Sequence, residues 1–203
     1  MPDHPENLFE SMSKMLASGI EPESRQEELW ARYGETVAVL TLDSTGFTRV
    51  SQSHGIVHFL SRVMMLRNLC IPVLEAHRSK RHHFEADNIY AAFDSIDDCV
   101  RAAQALHRCV FEARLQLTDE ERYRVSIGIG FGKLLYSQTL EGYFGDEMNI
   151  ACKLGEDIAT GDETLLSPAA FSNADQQLLT GFEWREVAVS GVQLPHYRHL
   201  FTP

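Results

Sequence analysis

Thr36 to Leu42 (T-V-A-V-L-T-L) is short, apolar and β-branched, and it runs directly into one carboxylate, Asp43. Such a run reads as a buried strand, so the fold must include a sheet. Asp43 then lies where that strand meets solvent, a position that costs free energy unless the charge is paired or binds a cation. Ser44 to Thr48 follows with small side chains and a glycine, so backbone N–H groups can point at an anion before the next helix begins. A carboxylate beside such a nest fits a metal–nucleotide site. An aspartate that only caps a turn or helix fits the same residues.

A second carboxylate occurs on a second pair of strands. His82 to Phe93 (H-H-F-E-A-D-N-I-Y-A-A-F) reads as a hairpin with Asp87 and Asn88 at the bend. Ile96 to Ala113 carries apolar residues at Cys99, Val100, Ala103, Leu106, Val110 and Ala113, which is helical spacing. Strand, helical region, hairpin and helix open a βαββαβ unit. In that topology the first strand neighbours the hairpin, which brings Asp43 and Asp87 towards one pair of divalent ions. Two such ions stabilise the attacking and leaving oxygens of an in-line phosphoryl displacement. Taken singly, Asp87 is also an ordinary turn residue.

Tyr123 to Tyr136 reads as a strand, a glycine turn and a strand, and Tyr143 to Leu154 as a loop entering a helix. The ordered set resembles the catalytic domain of class III nucleotidyl cyclases. That family shows D-x-x-G-F-T after the first strand, G-D at the hairpin, R-x-G-I-x-x-G on the next strand and G-x-x-x-N-x-A-x-R on a dimer-facing helix. Asp43 to Thr48 matches the first pattern, and Ala86-Asp87 the second with its glycine changed. Arg124 to Gly132 follows the third, and Gly145 to Lys153 the fourth with lysine for the last arginine. Four patterns in order are far more specific than any one alone. The resemblance spans about Thr36 to Phe201.

The resemblance implies roles. Asp43 and Asp87 match the metal-binding aspartates, and Ser44 the residue whose backbone carbonyl joins them; two Mn2+ or Mg2+ ions per site are implied. Gly46, Phe47 and Thr48 match the loop that wraps the triphosphate. Asn149 matches the asparagine that orients the ribose, and Lys153 replaces the arginine that stabilises the pentavalent phosphorus. Lysine keeps the charge and loses the bidentate fork. A lysine that binds the terminal phosphates is replaced by Ser190. At the two base-reading positions adenylate cyclases carry lysine and aspartate or threonine, and guanylate cyclases glutamate and cysteine. This chain has His83 and Gly142. With neither purine code present, it looks like the bacterial pyrimidine cyclases of anti-phage defence, which make cyclic UMP or cyclic CMP for a separate effector. A purine cyclase with a divergent pocket and a non-catalytic cyclase-like module share these features.

Length and charge bound the remainder. At 203 residues the chain suits one domain, read as a helical extension over 1–35 and a catalytic domain over 36–203. The expected fold is α+β, a ferredoxin-like βαββαβ core with an added C-terminal hairpin from Trp184 to Phe201, and Pro168 opens a short helix. Met1 to Ser24 has a weak amphipathic pattern (Leu8, Phe9, Met12, Met15, Leu16) suited to packing on the domain or on a partner subunit. No run approaches the ~20 apolar residues of a membrane helix, and no signal pattern opens the chain. Cys70, Cys99, Cys109 and Cys152 lack C-x-x-C spacing and read as buried thiols, which with the absent signal points to the cytoplasm. His77, His82 and His83 cluster near the hairpin without the spacing of a zinc site. The net charge of −11 disfavours nucleic acid but not a metal-bound nucleoside triphosphate. The resemblance further implies a head-to-tail homodimer with composite sites.

Overall fold

A computed structural model describes residues 7–138, 142–189 and 191–203. Ser190 lies outside the described residues. Two helices, α1 (Leu8–Ala17) and α2 (Gln26–Tyr33), precede β1 (Gly34–Ser44), which opens two residues earlier than Thr36. Then come α3 (Phe47–His54), α4 (Ile56–Ala76), β2 (Arg81–Glu85), β3 (Asn88–Phe93), α5 (Ile96–Glu112) and β4 (Val125–Ser137). The chain continues with β5 (Gly142–Phe144), α6 (Asp146–Cys152), a π-helical turn over Lys153–Ile158, β6 (Glu163–Leu166) and α7 (Pro168–Asn173). The hairpin of β7 (Glu183–Val189) and β8 (Val192–Leu200) ends it. The sheet order is β2-β3-β1-β4-β6-β8-β7, with β5 on the far end of β4. Its β2-β3-β1-β4 portion is the antiparallel ferredoxin-like core, and β6 joins β4 in parallel.

β1 is buried from Val37 to Leu42, apolar there except at Thr41, because its two faces meet two different layers. Ala38, Leu40 and Leu42 join the main core, with Phe59, Val63, Leu66, Cys70 and Leu74 of α4 and Cys99, Ala103, Leu106 and Val110 of α5. Val37 and Val39 point the other way, into a smaller cluster with Ala92, Leu134 and Ala151. Alternation of period two thus produces a continuous apolar run when both faces are covered. α5 starts where the Ser95 hydroxyl accepts from the Asp98 N–H, with Asp97 and Asp98 in the positive first turn.

Three expectations need correction. Tyr123 to Tyr136 contains no glycine turn: β4 is one strand of 13 residues. Gly128 and Gly130 are there because α6 and the π turn press on β4. A Cβ on Gly128 would lie 2.1 Å from the Ala151 carbonyl oxygen, and one on Gly130 would lie 2.3 Å from that of Glu147. The hairpin bends at Ala86-Asp87, and Asn88 already belongs to β3. Ala86 adopts φ 48°, the left-handed region that favours the glycine of the cyclase pattern. Finally, α4 does reach the length and apolarity of a membrane span by composition, at 21 residues. Five of its residues form a buried stripe in the core.

The N-terminal helices lie against the far half of β4 and β5. Phe9 meets Phe144 edge-on at 5.6 Å, and Lys133 stands over the Trp30 ring at 5.5 Å. In the C-terminal hairpin Pro195 sits opposite Glu186, before β8 begins to pair with β6 at Tyr197. Its missing N–H therefore leaves the β6 ladder intact.

Candidate active site

The end of β1, the β2–β3 turn and the start of α3 enclose an open cleft of about 840 Å³. Asp43, Ser44, Gly46, Phe47, Thr48 and Asp87 all line it. Asp43 and Asp87 come together because β1 and β3 are antiparallel neighbours whose last pair is Leu42 with Ile89; Asp43 lies one residue after Leu42, and Asp87 two residues before Ile89 in the β2–β3 turn. The Ser44 hydroxyl donates to Asp87 Oδ2 at 2.7 Å, and the Ser44 N–H donates to Asp43 Oδ1 at 2.8 Å. Burial pushes the Asp43 carboxyl up to about 7; the nearby Asp87 and Glu156 add to the rise, and the Ser44 N–H opposes it. Carboxylates arranged in this way hold a mutual repulsion that a cation relieves.

The phosphate side is equally local. Gly46 has φ 96°, which lets the chain turn sharply from β1 into α3. The Thr45 N–H and hydroxyl both donate to the Arg124 carbonyl at 3.2 Å, tying the turn to the start of β4. Phe47, Thr48 and Arg49 of the first turn of α3 line the cleft, and a helix leaves its first-turn N–H groups without intrahelical acceptors. The Phe47 ring packs edge-on against Phe59 at 4.8 Å, fixing the helix start to the core.

Asn149 and Lys153 are placed elsewhere. They lie one helical turn apart on α6 and at its end, and neither is among the residues lining the cleft. Asn149 is exposed and Lys153 partly so. His83 lines a second, more enclosed cavity of about 370 Å³ together with Arg81, Tyr90, Tyr136, Gln138, Tyr143 and Met148. Its ring stacks on Tyr90 at 4.9 Å. His82 instead bonds Ser79 at 3.2 Å and meets Phe84. The four cysteines are free.

Four residues lining the cleft have no place in the expected roles. Glu156, on the π turn, lines the cleft and accepts from the Tyr90 hydroxyl at 3.1 Å, so Tyr90 joins the cleft to the second cavity. Burial raises the Glu156 carboxyl, and the Tyr90 hydrogen bond partly offsets this. Asn88 donates to the same hydroxyl at 3.1 Å. Arg124 lines the cleft as a cation, loosely paired with Asp162 at 3.9 Å; Arg49 is also there but is held by Glu121 at 2.6 Å. Helix periodicity hides Glu156, because a π turn shifts the register.

The carboxylate oxygens of Asp43 and Asp87 are the donor type that suits Mg2+ or Mn2+. Among the described residues no group of three His, Cys, Asp or Glu side chains is placed to hold an ion alone, so substrate oxygens would have to complete the shell.

No protein-family model and no curated protein sequence matches the chain. Solved structures do. The guanylyl cyclase Cya2 is 19% identical with a TM-score of 0.67, covering 84% of this chain and 95% of its own. An adenylate/guanylate cyclase/hydrolase from Silicibacter pomeroyi is 17% identical with a TM-score of 0.67, covering 83% and 98%. The adenylyl cyclase CyaB from P. aeruginosa is 17% identical with a TM-score of 0.65, covering 84% and 96%. The chain therefore has the fold of the class III adenylyl and guanylyl cyclase catalytic domains.

Proposed function

We propose that this chain is a nucleotidyl cyclase that converts UTP, or CTP, to the 3′,5′-cyclic monophosphate and diphosphate. The observation that carries the reading is the meeting of Asp43 and Asp87 in one cleft with the N-terminus of α3 and Arg124. In this reading the ribose 3′-oxygen forms a bond to the α-phosphorus, and the bond to the β-phosphate oxygen breaks. Bound Mn2+ or Mg2+ would supply charge neutralisation and a lowered pKa at the 3′-hydroxyl. The α3 N–H groups and Arg124 hold the phosphate oxygens, which offers a substitute for the lysine replaced by Ser190. Asn149 orients the ribose and Lys153 faces the α-phosphate, both from a second copy of the chain. Positioning and charge stabilisation carry most of such catalysis, so lysine in place of arginine slows the step without abolishing it.

The pyrimidine preference rests on His83 and Gly142 at the positions where purine cyclases read their base. His83 lies on the wall of the cavity beside the cleft, and its ring is stacked on Tyr90. By its resemblance, the product serves as a second messenger for a separate effector in a cytoplasmic anti-phage system. The test is to incubate the pure protein with each of the four nucleoside triphosphates and Mn2+, and to identify any cyclic product by mass. Cyclic UMP or CMP supports the reading. Cyclic AMP as the main product replaces it with a purine cyclase. A second reading, a nucleotide-binding module without turnover, is favoured by Lys153 and is reached if thermal shifts occur without product.

A further inference from the structure

We infer that Glu147 is a positioning residue that fixes the rotation of α6, and with it Asn149 and Lys153; this rests on the cyclase reading above. The sheet has a gap that Glu147 fills. On one edge of β4, pairing with β6 ends at Ile129, where the Ser167 N–H donates to the Ile129 carbonyl at 2.8 Å. Pro168 then turns the chain into α7, and pairing on β4 resumes with β5 at Leu135. Between these points the Phe131 N–H donates to Glu147 Oε2 at 2.9 Å. A side chain of α6 thus stands in for the missing strand, because an unpaired backbone N–H inside a packed layer is costly.

The same oxygen accepts from the Ser167 hydroxyl at 2.5 Å, and Ser167 Oγ in turn accepts from the Ala170 N–H at 3.0 Å. One carboxylate therefore ties α6 to β4 and to the cap of α7. Glycines clear its path. A Cβ on Gly130 would lie 3.1 Å from Glu147 Oε2, and one on Gly132 would lie 3.0 Å from Glu147 Cγ.

Glu147, Ala151 and Gly155 form a stripe against β4, as the close approaches of Gly128 and Gly130 show. Asn149 and Lys153 form a second stripe, turned about 200° away on the helix. Nothing in the four cyclase-like sequence patterns singles out Glu147. Its two charge-assisted hydrogen bonds set the angle of the functional stripe from the opposite side. A 20° rotation of α6 moves a side-chain end 5–6 Å from the axis by about 2 Å. Misplacement by about 1 Å is enough to lose on the order of 10²-fold in rate.

The test compares Glu147→Ala, Glu147→Gln and Ser167→Ala in the full chain. Backbone hydrogen exchange at Phe131 and along α6 is read together with kcat and KM for the triphosphate that is turned over. Glu147→Ala should speed exchange at both places and lower kcat at least about tenfold, with KM changed by less than about threefold. Glu147→Gln keeps an acceptor oxygen and should restore most of kcat, and Ser167→Ala should fall between. Unchanged exchange at Phe131 and α6 in Glu147→Ala overturns the inference, as does full kcat per folded molecule. If Glu147→Ala does not fold, Ser167→Ala decides in the same way. If the unmodified protein makes no cyclic product, the cyclase reading fails, and the exchange data still judge the anchoring.

Discussion

Alanine at Gly128 would set a methyl group 2.1 Å from the Ala151 carbonyl oxygen and 2.4 Å from the Gly155 amide nitrogen. Both are backbone atoms, so neither can swing aside as the end of a side chain does. Ordinary contact begins near 3.4 Å, so α6 and the π turn must move off β4 by about 1.3 Å (3.4 − 2.1). Overpacking of this kind costs about 1–3 kcal/mol. For a domain of this size about 2 kcal/mol lowers Tm by roughly 4–8 °C. The same displacement carries Asn149 and Lys153, and if these act in the proposed site a shift of about 1 Å costs on the order of 10²-fold in rate. Gly128→Ala should therefore lose turnover per folded molecule by about 2.7 kcal/mol of barrier, an effect as large as its loss of stability.

Gly19→Ala is the control. Gly19 has φ 72° and open space around a built Cβ, so its substitution strains only the local backbone, by about 1 kcal/mol. The assay is thermal unfolding beside turnover per folded molecule for both variants. Wild-type Tm and turnover in Gly128→Ala would refute the close-packing account of the β4 glycines. Equal loss of turnover in both variants would break the link between α6 position and activity.

Asp43→Ala or Asp87→Ala should abolish cyclic product and the thermal shift caused by Mn2+ while the metal-free protein stays folded; undiminished turnover in either removes the metal assignment. Mixing the inactive Asp87→Ala and Asn149→Ala variants should restore activity through the one intact composite site of the mixed dimer. Failure to do so, with subunit exchange demonstrated, places the whole site in one chain. UTP should exceed ATP and GTP by at least about tenfold in kcat/KM, and His83→Lys with Gly142→Asp should erode that preference. Burial holds the His107 imidazole at about 4 against 6.5 in the unfolded chain, with its Nε2 bonded to Thr164 at 2.9 Å. A depressed histidine is neutral when folded and takes up a proton on unfolding, so this contribution to stability is present above pH 6.5 and falls away towards pH 4. About 2 kcal/mol should be lost between pH 7.5 and pH 5, and His107→Gln should flatten that part of the curve measured by urea unfolding.

Asp43, closing an apolar strand run, and Asp87, in a hairpin turn, were legible because their signals are local. An apolar run closed by a carboxylate reads the same whether or not its partners are known, and antiparallel pairing then brings Asp43 and Asp87 together. The role of the β4 glycines was not legible. Alternate glycines at 128, 130 and 132 look like a turn in one dimension; their cause is a helix lying across the strand, a contact between residues 20 or more positions apart in the case of Gly128 and Ala151. Glu156 escaped for a related reason. Its approach to the cleft depends on a π turn, and no simple periodicity announces that geometry. Glu147 was hidden because its partner, the Phe131 N–H, is free only where two strand pairings fail to meet.

The charge distribution explains why such a site would be divided. The cleft holds Asp43, Asp87 and Glu156 in a chain of net charge −11, with Arg124 as its loosely paired cation. A triphosphate entering that field alone would be repelled, so divalent cations must come first or with it. Lys153 does not line the cleft, although it shares a short helical segment with Glu156. Holding Lys153 beside Asp43 in the free chain would neutralise the carboxylates and weaken their hold on a cation. In the proposed dimer, presenting it from a second copy would keep the acidic half ready for metal and would add the positive charge only where the assembled site meets the phosphorus.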